Sequence, residues 1–273
     1  MVSPEPAAAS SVLPEHVRQN RNFWDSLSAE AGGFGDQLRH GRVRWACREP
    51  VWGDWAIPES QLGVLPSPLT GWDTLELGCG TGYLSGWLAR LGARPVGLDV
   101  SARQLALARR LQHEFGQTFP LIRANAEEVP LREASFDLVI SEYGAPLECD
   151  PHRWLPEAAR LLRNGGQLIF LSSTPIGYLC TPDDEPTAGT TLVRDYFGMG
   201  ARTVTATNTT EFQLPYGDWV RLFRRHGLRI EDLLEIRAPE DGHSDWPFFS
   251  SHWARRWPSE HVWKVSKESS RPS

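Results

Sequence analysis

Residues 74–82 read Thr74-Leu75-Glu76-Leu77-Gly78-Cys79-Gly80-Thr81-Gly82, and the next apolar run ends on Asp99, 21 residues after Gly78. Leu75 to Leu77 has the length and apolar character of a short buried strand. The alternate glycines let that strand turn sharply into a helix, because a residue without Cβ enters left-handed backbone freely. They also let a ligand sit against the backbone and meet the helix N-terminus, where unpaired amides and the dipole concentrate. Asp99, at the tip of the following strand, is placed to hold both hydroxyls of a ribose. The expected ligand is an adenosine derivative.

The glycine spacing narrows the choice. A dinucleotide fingerprint needs a third glycine at position 83, which is Tyr83. Glu76 stands two residues before Gly78, where a carboxylate would repel a pyrophosphate and attract a cation. Both residues argue against a nicotinamide oxidoreductase.

The surrounding chain alternates strands and helices. Strands are expected at Asp73–Leu77, Arg94–Leu98, Leu121–Ala124, Phe136–Ser141, Gln167–Ser172, Leu228–Ile236 and His261–Val265. Helices are expected at 14–30, Gly82–Leu91, Ala102–Phe115 with Ser101 as its cap, Pro156–Leu162 and Tyr216–His226. Arg163-Asn164-Gly165-Gly166 reads as a glycine helix stop and turn. Residues 1–12 are rich in Ser, Pro and Ala and read as a disordered tail. Residues 173–215 interrupt the alternation with Thr, Gly, Pro and Asp, and loops of that length are commonly functional.

Net charge is −6 over 273 residues, without a basic stripe, which argues against nucleic acid as a partner. Cys47, Cys79, Cys149 and Cys180 stand far apart, so neither a disulfide framework nor a metal site is expected. No 18-residue apolar run predicts a membrane span and no leader pattern opens the chain, so the expectation is a cytoplasmic protein. Tryptophan is the outlier, at 12 residues. Most will be core residues, but an aromatic wall for a flat or cationic ligand is the functional alternative.

The Leu-Glu-Leu-Gly-Cys-Gly-Thr-Gly stretch, with Asp99 and the later strand ends, resembles the class I S-adenosylmethionine (SAM)-dependent methyltransferases. The resemblance covers roughly 70–172 and is of the bacterial small-molecule, methyltransferase-11 or ubiquinone-methylase type. It implies an α/β, Rossmann-like sheet of seven mostly parallel strands with an antiparallel last strand and helices on both faces. It implies a division into 1–12 as tail, 13–69 as an N-terminal lid, and 70–267 as the methyltransferase domain, with 173–215 covering the acceptor. The cofactor would be SAM, held by Glu76, Gly78, Cys79, Gly80, Gly82, Asp99, Val100, Asn125, Ala126, Glu127 and Glu142. Asn125 replaces the aspartate that many members carry there. The partner would be a small-molecule methyl acceptor, with the oligomeric state open, a homodimer included.

Catalysis is read less sharply. Methyl transfer from a sulfonium needs a near-attack pose more than a strong acid or base. Glu142, Tyr143 and His40 are the candidate catalytic residues, with His152 and Tyr216 as further bases. Trp24, Trp52, Trp55 and Tyr216 are candidate acceptor contacts. The alternative function is a non-catalytic SAM-binding or partner-supporting subunit that keeps the fold.

Overall fold

The computed structural model describes residues 13–29, 36–185 and 187–268. The expected tail at 1–12 and part of the expected lid, residues 30–35, lie outside the described residues.

The chain opens with helices α1 (Glu15–Leu27) and α2 (Gln37–Trp45). A short hairpin, β1 (Val51–Trp52) and β2 (Ile57–Pro58), and helix α3 (Glu59–Leu62) follow. The alternating part then runs β3 (Asp73–Leu77), α4 (Tyr83–Arg90), β4 (Arg94–Asp99), α5 (Ala102–Glu114), β5 (Leu121–Arg123) and β6 (Phe136–Glu142). It continues with α6 (Gly144–Glu148), α7 (Pro151–Leu161), β7 (Leu162–Ser173) and α8 (Pro175–Cys180). A second hairpin, β8 (Ala201–Val204) and β9 (Thr209–Phe212), precedes α9 (Tyr216–Arg225), β10 (Leu228–Ile236), α10 (Ser251–Ala254) and β11 (Glu260–Lys267).

Seven strands form one sheet in the order β10-β11-β7-β6-β3-β4-β5. All neighbouring pairs are parallel except those of β11, which lies antiparallel between β10 and β7. This is the architecture the resemblance implies.

Alternation along the central strands divides the core into two layers. Val139, Leu168, Phe170, Trp263 and Val265 face a layer with Trp154 and Leu155 of α7 and Trp219 and Phe223 of α9. Leu138, Ile140, Ile169, Leu171 and Val262 face the other, against Leu84 and Leu88 of α4, Trp52 and Trp55 of the first hairpin, and Trp253 of α10. Each fully buried aliphatic or aromatic side chain contributes roughly 1.5–3 kcal/mol. A one-residue slip of β6 or β7 would put these sets on the wrong sides.

Three expectations are corrected. The helix expected from Pro156 begins at Pro151, because Asp150 caps it through the His152 amide at 2.9 Å and proline suits the first helical position. Pro156 sits inside that helix without a backbone donor. The Arg163–Gly166 turn is a bulge within β7, where Phe136 pairs Leu162 and Leu138 pairs Gln167 while Gly165 takes φ +77°. The insertion at 173–215 is not plain loop, since it carries α8 and the β8–β9 hairpin.

Candidate functional site

The glycine loop joins β3 to α4, and Gly78, Gly80 and Gly82 all have left-handed φ, +69°, +50° and +70°. A Cβ on Gly78 would lie 2.7 Å from the Gly144 Cα, so this residue cannot be larger. A Cβ on Gly80 would meet only the Gln104 Oε1, at 3.6 Å. The loop is tied to the end of β4: the Gly80 amide donates to Asp99 Oδ2 and the Ser101 amide to Asp99 Oδ1, each at 2.8 Å. Cys79 is buried, and its amide donates to the Leu98 carbonyl at 2.9 Å.

Burial pushes the Asp99 carboxyl up to about 6 against the two amides that favour its charged form. Each carboxylate oxygen can accept more than one hydrogen bond, so the pair of amides leaves acceptor capacity for two hydroxyls. Glu76 is only 3% exposed and faces α4, where both the Ser85 amide (2.8 Å) and hydroxyl (2.5 Å) donate to its Oε2. Burial raises its carboxyl to about 8.

Helix α1 lies across the ends of β4 and β5. Ser101 donates to Asp25 at 2.6 Å, and Trp24 donates through its indole to Glu148 of α6 at 2.5 Å. Burial lifts Glu148 to about 8. Asn20 bridges the amide and carbonyl of Thr210 in β9, each at 2.8 Å, so the inserted hairpin is docked on α1. Glu127 is engaged by His16 of α1 at 2.6 Å, by the Asp150 amide at 2.8 Å and by Arg153 at 3.2 Å. Asn125 Oδ1 accepts the Glu127 amide at 3.1 Å, and Ala126 is buried beside it. Val100 follows Asp99, and its carbonyl accepts from the Arg123 guanidinium at 3.3 Å.

A third group forms where β6 ends and β11 begins. Glu142 Oε1 accepts the Gly53 amide at 2.8 Å, and Glu260 Oε1 accepts the Asp54 amide at 2.8 Å and the Tyr143 hydroxyl at 2.5 Å. Arg44 of α2 stands 4.0 Å from Glu142 and donates to the Val51 and Gly53 carbonyls. Tyr143 has φ +59°, ψ −38°, a strained backbone for a residue with a side chain and one that clusters at functional sites. Burial raises the carboxyls of Glu142, Asp54 and Glu260 and the phenol of Tyr143. Asp54 and Glu260 escape a reading of the sequence because they arrive from segments 206 residues apart. The glutamate just before the expected strand His261–Val265 was the available signal.

Other expected contacts are placed elsewhere. Trp52 and Trp55, 1% and 5% exposed, are core residues: their indoles donate to Glu59 at 2.6 Å and Ser259 at 2.9 Å. The expected aromatic wall is therefore replaced at both positions by packing under the first hairpin. Tyr216 lies on the opposite layer, against His261 and Trp263. His40 faces Asp245 at 3.3 Å and Trp246, away from the carboxylate group at the end of β6.

Residues 75–170 match a family described as a methyltransferase domain. A ubiquinone biosynthesis O-methyltransferase of Cereibacter sphaeroides is 34% identical over 104 residues, 38% of this chain and 42% of that protein. A ubiquinone/menaquinone biosynthesis C-methyltransferase of Hahella chejuensis is 34% identical over 153 residues, 54% and 57% of the two chains. The chain thus spans about half the length of the curated relatives it matches. The crystal structure of a SAM-dependent methyltransferase from Mesorhizobium loti has the same fold, with TM-score 0.61, 23% identity and coverage of 75% and 94%. The chain carries a class I SAM-dependent methyltransferase domain, and SAM is the cofactor of that class. Among the described residues no helix is long and apolar enough to cross a membrane.

Proposed function

We propose that this chain transfers a methyl group from SAM to a small organic acceptor. The observation that carries the reading is Asp99 held against the Gly80 amide, with three left-handed glycines beside it. That arrangement fits the cofactor: the backbone is open at Gly80, and a buried carboxylate keeps acceptor capacity for a ribose. The bound cofactor supplies the electrophilic methyl group. Gly78, Cys79, Gly80 and Gly82 bring the loop backbone to it, and Glu76, bonded to Ser85, braces the loop from behind. Val100 packs at the adenine, with Asn125, Ala126 and Glu127 forming that end of the pocket. Glu127 also clamps α1 through His16, which joins the lid to the adenine end.

Helices α1 and α2 and the first hairpin act as the lid over a domain running from about residue 70 to 267, and the 173–215 insertion backs α1. Their contacts exclude water, which strengthens every electrostatic term inside. Glu142 and Tyr143 sit at the methyl side, with Tyr143 fixed by Glu260. Orienting an acceptor for in-line attack is their main contribution. Trp24, beside Glu148, borders the adenosine end rather than the acceptor.

The test is incubation with SAM and a panel of small acceptors while S-adenosylhomocysteine is monitored. Acceptor-dependent formation of that product with a mass gain of one methylene is the expected result. Tight SAM binding with no turnover on any acceptor would favour the supporting-subunit alternative.

A further inference from the structure

We infer that the methyl acceptor carries a protonated amine, recognised by the carboxylates of Asp54, Glu142 and Glu260 where the first hairpin meets the end of β6 and the start of β11. The inference rests on the proposed methyl transfer and names the substrate class of that site.

Three carboxylates converge here with one guanidinium, Arg44. The second observation is at the atoms. Glu260 is 0% exposed, and its Oε2 has no hydrogen-bond partner; Glu142 Oε2 is also buried and unpartnered. The Oε1 atoms alone hold the hairpin, through the Gly53 and Asp54 amides. A latch for the hairpin accounts for those two oxygens and leaves the other two orphaned. A buried oxygen without a donor carries its full desolvation cost, and two of them on neighbouring carboxyls of one cluster point to a bound donor.

The ligand must be a donor and a cation. Three acidic side chains share a single guanidinium here, at 4.0 Å from Glu142, so burial disfavours their charged forms. A bound cation would favour the carboxylates and offset that burial. Among the described residues no set of His, Cys, Asp and Glu is arranged to hold a metal ion. An ammonium group supplies several N–H donors in one compact charge, which matches orphaned oxygens on two separate carboxylates. The hairpin backbone approaches this cluster closely: a Cβ on Gly53 would lie 2.1 Å from Glu260 Oε1.

The experiment is titration calorimetry with methylammonium, propylammonium and benzylammonium against methanol, propanol and benzyl alcohol. Each is run on the full chain, with and without S-adenosylhomocysteine. At least one amine should bind about tenfold or more tightly than its alcohol. Asp54→Asn, at the turn of the first hairpin, should remove that preference while S-adenosylhomocysteine still binds. Glu260→Gln should do the same, and circular dichroism will show whether its fold survives. Equal binding of amines and alcohols, no binding by any amine, or an unchanged preference in Asp54→Asn overturns the proposal. If the orphaned oxygens serve the sulfonium instead, Asp54→Asn weakens SAM but not S-adenosylhomocysteine and no amine binds, which also overturns it. Failure of the methyl-transfer reading itself is distinct: S-adenosylhomocysteine would not bind, and the amine titration of the free protein would still decide.

Discussion

The Asp99 carboxylate and the Gly80 amide are locked at 2.8 Å across the loop that follows β3. A residue chosen for its charge thereby also holds the loop that a ligand must meet. Its second oxygen takes the Ser101 amide, so both are aligned before any ligand arrives. Preorganisation of this kind lowers the ordering cost of binding.

Asp99→Ala should therefore lose more than its ribose contacts. One or two charge-assisted hydrogen bonds are worth roughly 1.5–3 kcal/mol each. SAM affinity should fall by about tenfold or more, with the far-UV spectrum retained. Affinity in the parent should also decline as pH drops below about 6, where Asp99 takes up a proton. Calorimetry across pH checks both, and an affinity unchanged by the substitution would remove Asp99 from the site.

Glu76 controls a second pH effect. Burial raises its carboxyl from 4.5 to about 8, so the folded chain holds a proton that the unfolded chain has released. The stability this contributes is present in full below 4.5 and is lost as pH rises through about 8. His261, lowered by burial to about 3, acts in the opposite sense and only below its ordinary 6.5. Between pH 7 and 9 Glu148, also raised to about 8, acts in the same sense, so the Glu76 share is the difference in slope between parent and variant, on the order of 1.4 kcal/mol for each tenfold change in proton affinity. Glu76→Gln keeps an oxygen for Ser85 and should be the more stable protein near pH 9. Thermal melts with the same pH slope in parent and variant would refute this.

Much of this architecture could be read before the fold was known. The glycine loop, Asp99 and the β3–β7 alternation depend on local patterns of short period, which survive in any one sequence. Helix α2 is obscured by its arginines and Gly41, and it is held by the Asp36 cap and the buried Trp45. The two-residue strands β1 and β2 have no periodicity to detect. The Asp54–Glu260 pairing depends on β11 entering between β10 and β7, a choice of topology that no local signal encodes. Trp52 and Trp55 misled because an indole suits a ligand wall and a core equally well, and only burial separates the two.

The lid should respond to ligand. α1 is joined to the domain largely by polar contacts at His16, Asn20, Trp24 and Asp25, whereas the first hairpin adds the buried Trp52 and Trp55 to its Gly53 and Asp54 amide bonds. The polar contacts of α1 permit local opening at a lower free energy than the core. Hydrogen exchange over Glu15–Leu27 and residues 51–58 should slow when S-adenosylhomocysteine is added, while the centres of β6 and β7 stay unchanged. Equal exchange with and without ligand would make the segment a static brace.

Glu142 and Tyr143 carry the sharpest kinetic expectation. Both sit at the end of β6, where Leu138–Ile140 is fully buried and fixes the direction of the residues that follow. If they orient the acceptor, Glu142→Gln and Tyr143→Phe act on the reacting pair and not on the adenosine. Turnover should fall by about tenfold or more while SAM affinity stays within a few-fold. Tyr143→Phe also releases Glu260 Oε1 from its 2.5 Å bond, so its loss should exceed that of a change at the acceptor surface alone. A general-base role for Glu142 adds a separate signature: high pH should restore rate in Glu142→Gln for an acceptor able to ionise unaided. Single-turnover measurements on both variants separate these cases. Parent rates in both would make the end of β6 scaffold, and the acceptor would then be sought on the Tyr216–His261 side of the sheet.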